Sequence, residues 1–150
     1  MEGQVDDFVG AFAVVQRGDR YLLVANERRI DGNMQRVWDL PGGRVEAGEL
    51  LQEALRRELH EETRLRLEGA PDFVFFQEGE RIESGVRQYA WRSFFFTVAA
   101  EGDPVASNEV LDVRWMTPAE IAAECRAPYH DSFREWLQHG GSYFVSAWRD

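Results

Sequence analysis

The chain contains no lysine. All seventeen basic residues are arginine, set against 27 acidic ones, for a net charge of −10. Without lysine there is no Schiff-base former and no lysine-dependent nucleophile. The acidic balance argues against a nucleic-acid duplex as the main partner, since backbone binding draws on an excess of cations. Arginine forks match phosphate oxygens, although an arginine-only habit also follows from genome composition. Cysteine is nearly absent too: Cys125 stands alone, so no internal disulfide forms and a reducing cytoplasm is the simplest setting. It falls in a short predicted helix and reads as a small core residue. No apolar run approaches the roughly 20 residues of a membrane span. The N-terminal Met1-Glu2-Gly3-Gln4-Val5-Asp6-Asp7 is acidic and lacks the layout of a secretion signal. His60, His130 and His139 lack zinc-site spacing, and no serine or cysteine stands in a nucleophile motif. There is no internal repeat, low-complexity tract or linker.

What is present points to a globular core. Hydrophobic residues make up 44% of the chain, with five tryptophans, and residues 1–150 have the length of a single domain. The pattern centres on a helix whose inward face changes character. At about 100° per residue, Leu51, Leu55, Glu58 and Glu62 fall on one line. Ala54 and Glu61 flank it on one side and Leu59 on the other. Glu58, Glu61 and Glu62 are neighbours at i, i+3 and i+4. Two like charges about 4 Å apart repel by roughly 4 kcal/mol at a near-surface dielectric of about 20. Protonation, arginines or a hard divalent cation must offset that. A solvated acidic face is the bland alternative, but His60 holds the opposite side, where a solvent face would be. Carboxylate oxygens suit Mg²⁺ or Mn²⁺.

Upstream, Leu40-Pro41-Gly42-Gly43-Arg44-Val45-Glu46 leads into the helix. Gly43, five residues, Glu49, seven residues, then Arg57-Glu58-Leu59, one residue and Glu61-Glu62 resembles the signature of the Nudix hydrolases. One position departs: Arg64 stands where the family has glycine, before the aliphatic Leu65. A glycine there serves a left-handed cap, and a non-glycine costs roughly 1–2 kcal/mol, which puts the cap geometry in doubt and leaves every ligand in place.

The resemblance covers nearly the whole chain and implies an α/β/α sandwich with a mixed central sheet. It implies metal ligation by the Gly43 carbonyl with Glu58, Glu61 and Glu62, and Mg²⁺ or Mn²⁺ as cofactor. Glu61 or Glu62 comes closest to the general base. The substrate class it implies is a small molecule, a nucleoside diphosphate linked to another group and cut at the phosphoanhydride. Glu49, read in the first turn of the helix, either caps it or supports Arg57. Arg57 follows Glu53 at i+4 and orients carboxylates without touching substrate. In many Nudix proteins the loop here written Ser107-Asn108-Glu109 carries a further acid, so Glu109 is a candidate ligand or base, or else a surface glutamate. The alternative reading is a catalytically silent nucleotide sensor, which would lose signature acids that this chain keeps. An isoprenoid diphosphate isomerase would need a cysteine at the site. Nudix folds often pair as homodimers, but nothing in the sequence defines an interface.

Around this core, Phe8 to Val15 reads as a strand buried on both faces. Gly18-Asp19 signals a hairpin, and Tyr21 to Ala25 returns. Glu27 to Gln35 reads as a loop, making Arg28 and Arg29 candidates for substrate contacts or ordinary surface arginines. Arg44, beside the ligating glycine, is a third candidate. Trp38-Asp39-Leu40 reads as a short strand, Phe73 to Phe76 as another, and Glu78 to Gly85 as a charged loop. Val86 to Val98 is a long strand with Tyr89, Trp91 and Phe95 on one face, suited to core packing or to stacking on a base. Asp112 to Met116 alternates as a half-buried strand. Thr117-Pro118-Ala119-Glu120 is a helix start. Tyr129, Phe133, Trp136 and Leu137 form the stripe of a final helix, and Tyr143, Phe144 and Trp148 pack down the tail.

Overall fold

The computed structural model describes residues 5–150; the first four residues of the acidic N-terminal segment lie outside them. The strands β1 (Phe8–Arg17), β2 (Arg20–Ile30), β3 (Asn33–Asp39) and β4 (Gly42–Arg44) precede helix α1 (Leu51–Thr63). Then come β5 (Arg66–Glu83), β6 (Val86–Glu101), β7 (Asp112–Met116) and α2 (Pro118–Glu124). A 3-10 turn (Pro128–His130), α3 (Asp131–His139) and β8 (Tyr143–Arg149) complete the chain. The eight-stranded sheet has the order β3-β2-β1-β6-β5-β8, with β4 beside β1 and β7 beside β2. It is mixed: β1–β6 and β5–β8 run parallel, and the other pairs are antiparallel. None of the helices described is long and apolar enough to cross a membrane.

Alternation along the strands sorts side chains to two helical layers. Ala11, Ala13 and Val15 of β1 join Phe96 and Val98 of β6 beneath Ala54, Leu55 and Leu59 of α1. On the opposite face, Val14, Leu23, Phe75 and Phe95 pack with Ile121 of α2 and Phe133 of α3. The expected α/β/α sandwich with a mixed sheet is therefore what forms.

Two expected loops are strands. Glu27 to Gln35 continues β2 and opens β3, because Asp31 and Gly32 make a two-residue turn at positive φ, 53° and 79°. That is the geometry a type I′ hairpin demands, and Asp-Gly supplies it. Glu78 to Glu83 likewise belongs to β5, with the turn confined to Ser84-Gly85 at φ 50° and 75°. Its charges mask an alternation: Gln77, Gly79 and Arg81 are buried while Glu78 and Glu80 face out. The tail is also a strand, β8, paired in parallel with Phe76–Ile82.

Helix α1 begins later than the placement of Glu49 in its first turn implies. Leu50 is its N-cap, so Glu49 lies outside the first turn. Glu53 closes the cap by accepting the Leu50 N–H at 2.8 Å, and Arg57 turns elsewhere for partners. At the far end Arg64 adopts the left-handed conformation (φ 65°) and donates its N–H to the His60 carbonyl. The cap survives without its glycine, and its cost is conformational. Arg64 is exposed and makes no ion pair among the described residues. Arg64→Gly is expected to raise stability by about 1 kcal/mol in urea denaturation. A loss of stability would show that the arginine side chain contributes more than its backbone costs.

Candidate active site

The acidic half of α1 meets a strand made of glycine. The Gly42 N–H donates to Glu62 Oε1 at 2.7 Å. At Gly43 a Cβ would stand 2.9 Å from the Glu58 carboxylate, so only a glycine lets that side chain lie against the backbone. Gly43 is held in place by pairing with Ala11 of β1.

Arg57 braces the cluster from the flank. Its Nε and Nη2 donate to the two oxygens of Glu49 at 2.7 and 2.9 Å. Its Nη1 reaches Glu58 at 2.9 Å and Glu61 at 3.3 Å, and Nη2 also meets the Arg44 carbonyl. The bidentate fork and the Glu46 N–H hold the Glu49 carboxyl down at about 2.

Depth separates the three helix carboxylates. The Glu61 side chain is 42% exposed, whereas Glu62 is 9% exposed. Burial, with the charges of Glu58 and Asp39, pushes Glu62 up to about 8 against the Gly42 hydrogen bond. Burial also raises Glu58, outweighing Arg57. Arg57 thus leaves negative charge uncompensated at Glu58 and Glu62. Among the described residues no three acidic, histidine or cysteine side chains form a closed metal cage. The donor set is oxygen only, one buried and one half-buried carboxylate beside a glycine backbone. That suits a hard cation taking a few protein oxygens and completing its shell from phosphates. The residues fit the group.

Beside the Gly42-Gly43 strand opens a cavity of about 330 Å³. Its aromatic lining includes Phe8, Phe12, Tyr89, Trp91, Phe95 and Trp148. Tyr89 and Trp91, compatible from sequence with either core or ligand, line this space, as does Trp148 of the tail. Its one carboxylate is Asp39, 2% exposed. Asp39 Oδ1 accepts from the Tyr129 hydroxyl at 2.8 Å and lies 3.2 Å from His130 Nε2. Asp39 Oδ2 accepts from Asn26 Nδ2 at 2.9 Å and pairs with Arg28 at 3.4 Å. The Leu40 N–H also points at His130 Nε2, at 3.4 Å; one nitrogen cannot donate and accept at once, and the shorter contact, to a carboxylate, keeps the proton. Burial would raise Asp39, but His130, Arg28 and Asn26 hold it below its ordinary value.

Asn26, Asp39, Tyr129 and His130 escaped the sequence reading. Tyr129 was assigned to the stripe of the last helix, yet it stands in the 3-10 turn before α3 and bonds to Asp39. The available signal was Asp39 itself, an acid between Trp38 and Leu40 in a short strand.

The three arginine candidates divide. Arg28 and Arg44 line the cavity, Arg44 over the Phe8 ring at 4.3 Å. Arg29 does not line it; its Nη1 donates to the Gly32 carbonyl and braces the hairpin turn. Glu109 is exposed, and the structure gives it no place in the cavity wall. Its loop is nonetheless fastened to the end of α1, where the Ser107 N–H meets the Glu62 carbonyl.

The NUDIX domain model matches residues 7–137. The nucleoside triphosphatase NudI of Enterobacter sp. (strain 638) is 32% identical, over 69% of this chain and 77% of its own. Among solved structures, the MutT protein of Bacillus halodurans superimposes with a TM-score of 0.75 at 23% identity, covering 95% of this chain and 89% of that one. The E. coli ORF135 protein gives 0.72 at 24% identity, with 91% of each chain covered. The chain belongs to the Nudix hydrolase family. Its enzyme class is that of a Nudix pyrophosphohydrolase acting on acid anhydrides in phosphorus-containing compounds. The family acts on small-molecule nucleotides and generally uses divalent metals.

Cys125 takes no part in such a site. It is buried, its thiol donates to the Trp38 carbonyl at 3.4 Å, and burial with the nearby Asp39 charge pushes it up to about 12. At pH 8 its thiolate fraction is on the order of one in ten thousand. Native protein is expected to resist a thiol reagent such as DTNB at pH 8 and to react fully once unfolded in guanidinium. Rapid labelling of the folded chain would contradict the burial.

Proposed function

We propose that the chain is a divalent-cation-dependent hydrolase of a nucleoside diphosphate linked to another moiety, cut at the phosphoanhydride. The observation that carries this is the convergence of Glu58 and Glu62 on the Gly42-Gly43 backbone, beside a ring-sized aromatic cavity. A nucleoside triphosphate falls within the class, the second group being phosphate, and the NudI relative is described as a nucleoside triphosphatase.

Glu58 and Glu62, with the Gly43 carbonyl, would hold Mg²⁺ or Mn²⁺, and Glu61 would close the set from outside. A bound cation supplies charge neutralisation on the diphosphate oxygens and Lewis acidity toward the hydrolytic water. Glu61, half-exposed and tied to Arg57 only by a 3.3 Å bond, is free enough to take the proton from that water at its carboxylate. Arg57 touches no substrate; it holds Glu49, Glu58 and Glu61 in register. The cavity accepts the nucleoside, while Arg28 and Arg44 bring positive charge to its wall.

Two variants separate the roles. Glu61→Gln is expected to lower kcat at least about a hundredfold, on the order of one general base, with cation binding retained. Glu62→Gln is expected to lose activity together with cation affinity. Turnover is followed by counting the phosphates on each product, across nucleoside triphosphates, nucleotide sugars and dinucleoside polyphosphates, with Mg²⁺ present and after chelation. Near-normal turnover by both variants at saturating Mg²⁺, or full activity after chelation, would overturn the assignment.

A further inference from the structure

The cavity holds one carboxylate, and it is already spent. Asp39 accepts the Tyr129 hydroxyl on one oxygen, beside His130, and the Asn26 amide on the other, beside the Arg28 guanidinium. Gln77 is engaged as well: its oxygen accepts from Trp91 Nε1 at 2.8 Å, and its amide donates to the Tyr129 carbonyl and Ser132. Neither group is left to receive an amino group from a ligand.

Among the open polar groups of the wall, Asn26 and Arg28 stand together on one strand. Asn26 commits Nδ2 to Asp39, which orients its Oδ1 away as an acceptor, and no donor reaches that oxygen among the described residues. Arg28 has five N–H groups; it pairs with Asp39, interacts with Tyr129, and its side chain remains 48% exposed. Asn26 and Arg28 are two apart on β2, so they share a face. Both reach Asp39 Oδ2, so their working ends lie side by side. Together they offer one acceptor beside one donor.

We infer that Asn26 and Arg28 select a ring with a lactam edge, a carbonyl oxygen next to a ring N–H, over one with an amino group next to a bare ring nitrogen. The inference rests on the proposed hydrolase reading and narrows its substrate class to 6-oxopurine or 4-oxopyrimidine nucleotides. Arg28 donates to the ring carbonyl, and Asn26 Oδ1 accepts the ring N–H. An amino-edged ring turns a donor on the guanidinium and a lone pair on the amide oxygen, leaving the buried Asn26 oxygen unpaired. The aromatic residues pack on the faces of the ring and do not distinguish its edges. At about 330 Å³ the space lies at the small end of ligand sites, room for one such ring system.

Inosine and adenosine differ at this edge alone, as do uridine and cytidine. Binding of the four 5′-monophosphates to the full chain, by tryptophan fluorescence without added metal, is set beside hydrolysis of the four triphosphates with Mg²⁺. The expected result is a preference of about 10–100-fold for the oxo member of each pair, in Kd and in kcat/KM, falling toward parity in Arg28→Met and Asn26→Leu. Parity, an amino preference or no binding by the native chain would overturn the inference, as would an undiminished preference in both variants. Hydrolysis without preference leaves the hydrolase reading standing and removes this one. An oxo preference in binding with no hydrolysis of any of the four does the reverse.

Discussion

Carboxylates of α1 lie against peptide backbone with no side chain to hold them off. Everything around the site follows from that approach. Gly43 leaves room for Glu58, and Gly42 gives Glu62 its N–H at 2.7 Å. The glycines are themselves pinned, since β4 pairs with β1 and the Ala13 N–H bonds to the Pro41 carbonyl at 2.8 Å. The helix end, the glycine strand and the central sheet are thereby joined through the acidic residues. On the far side, the same two glycines form part of the cavity wall.

Two charge arrangements sit on either side of this strand, and they are built differently. Beside the helix, one guanidinium serves Glu46, Glu49, Glu58 and Glu61 without reaching Glu62, and burial raises Glu58 and Glu62 above the ordinary carboxylate range. In the cavity the ratio is reversed: four donors surround one carboxylate, and Asp39 stays ionised despite its burial. The first arrangement invites a cation. The second is closed and serves to hold Asn26, Arg28, Tyr129 and His130 in fixed positions.

The helix was legible because its chemistry follows a local period. Leu55 and Leu59 are buried, His60 is exposed and the acids fall where the 3.6-residue repeat puts them. The hairpin at Gly18 and the capping box at Thr117 were equally local signals. The strands at Glu27–Ile30 and Glu78–Glu83 were obscured because charged residues on the open face hide a period of two. In both, the Asp31-Gly32 and Ser84-Gly85 turns are shorter than the charged stretch suggests. Arg29 illustrates the consequence: a supposed loop residue proves to brace a turn. The cavity was the least legible part. Asn26 and Asp39 meet across the β2–β3 pair, and the packing of the 3-10 turn on the sheet brings His130 and Gln77 beside them.

The most direct test is an electron paramagnetic resonance titration of Mn²⁺ into the native chain and into the Glu58→Gln, Glu62→Gln double variant. The native chain should bind the ion at neutral pH, and the variant should bind it at least about tenfold more weakly. Equal binding by the two would mean that the carboxylates at the glycine strand do not hold the cation.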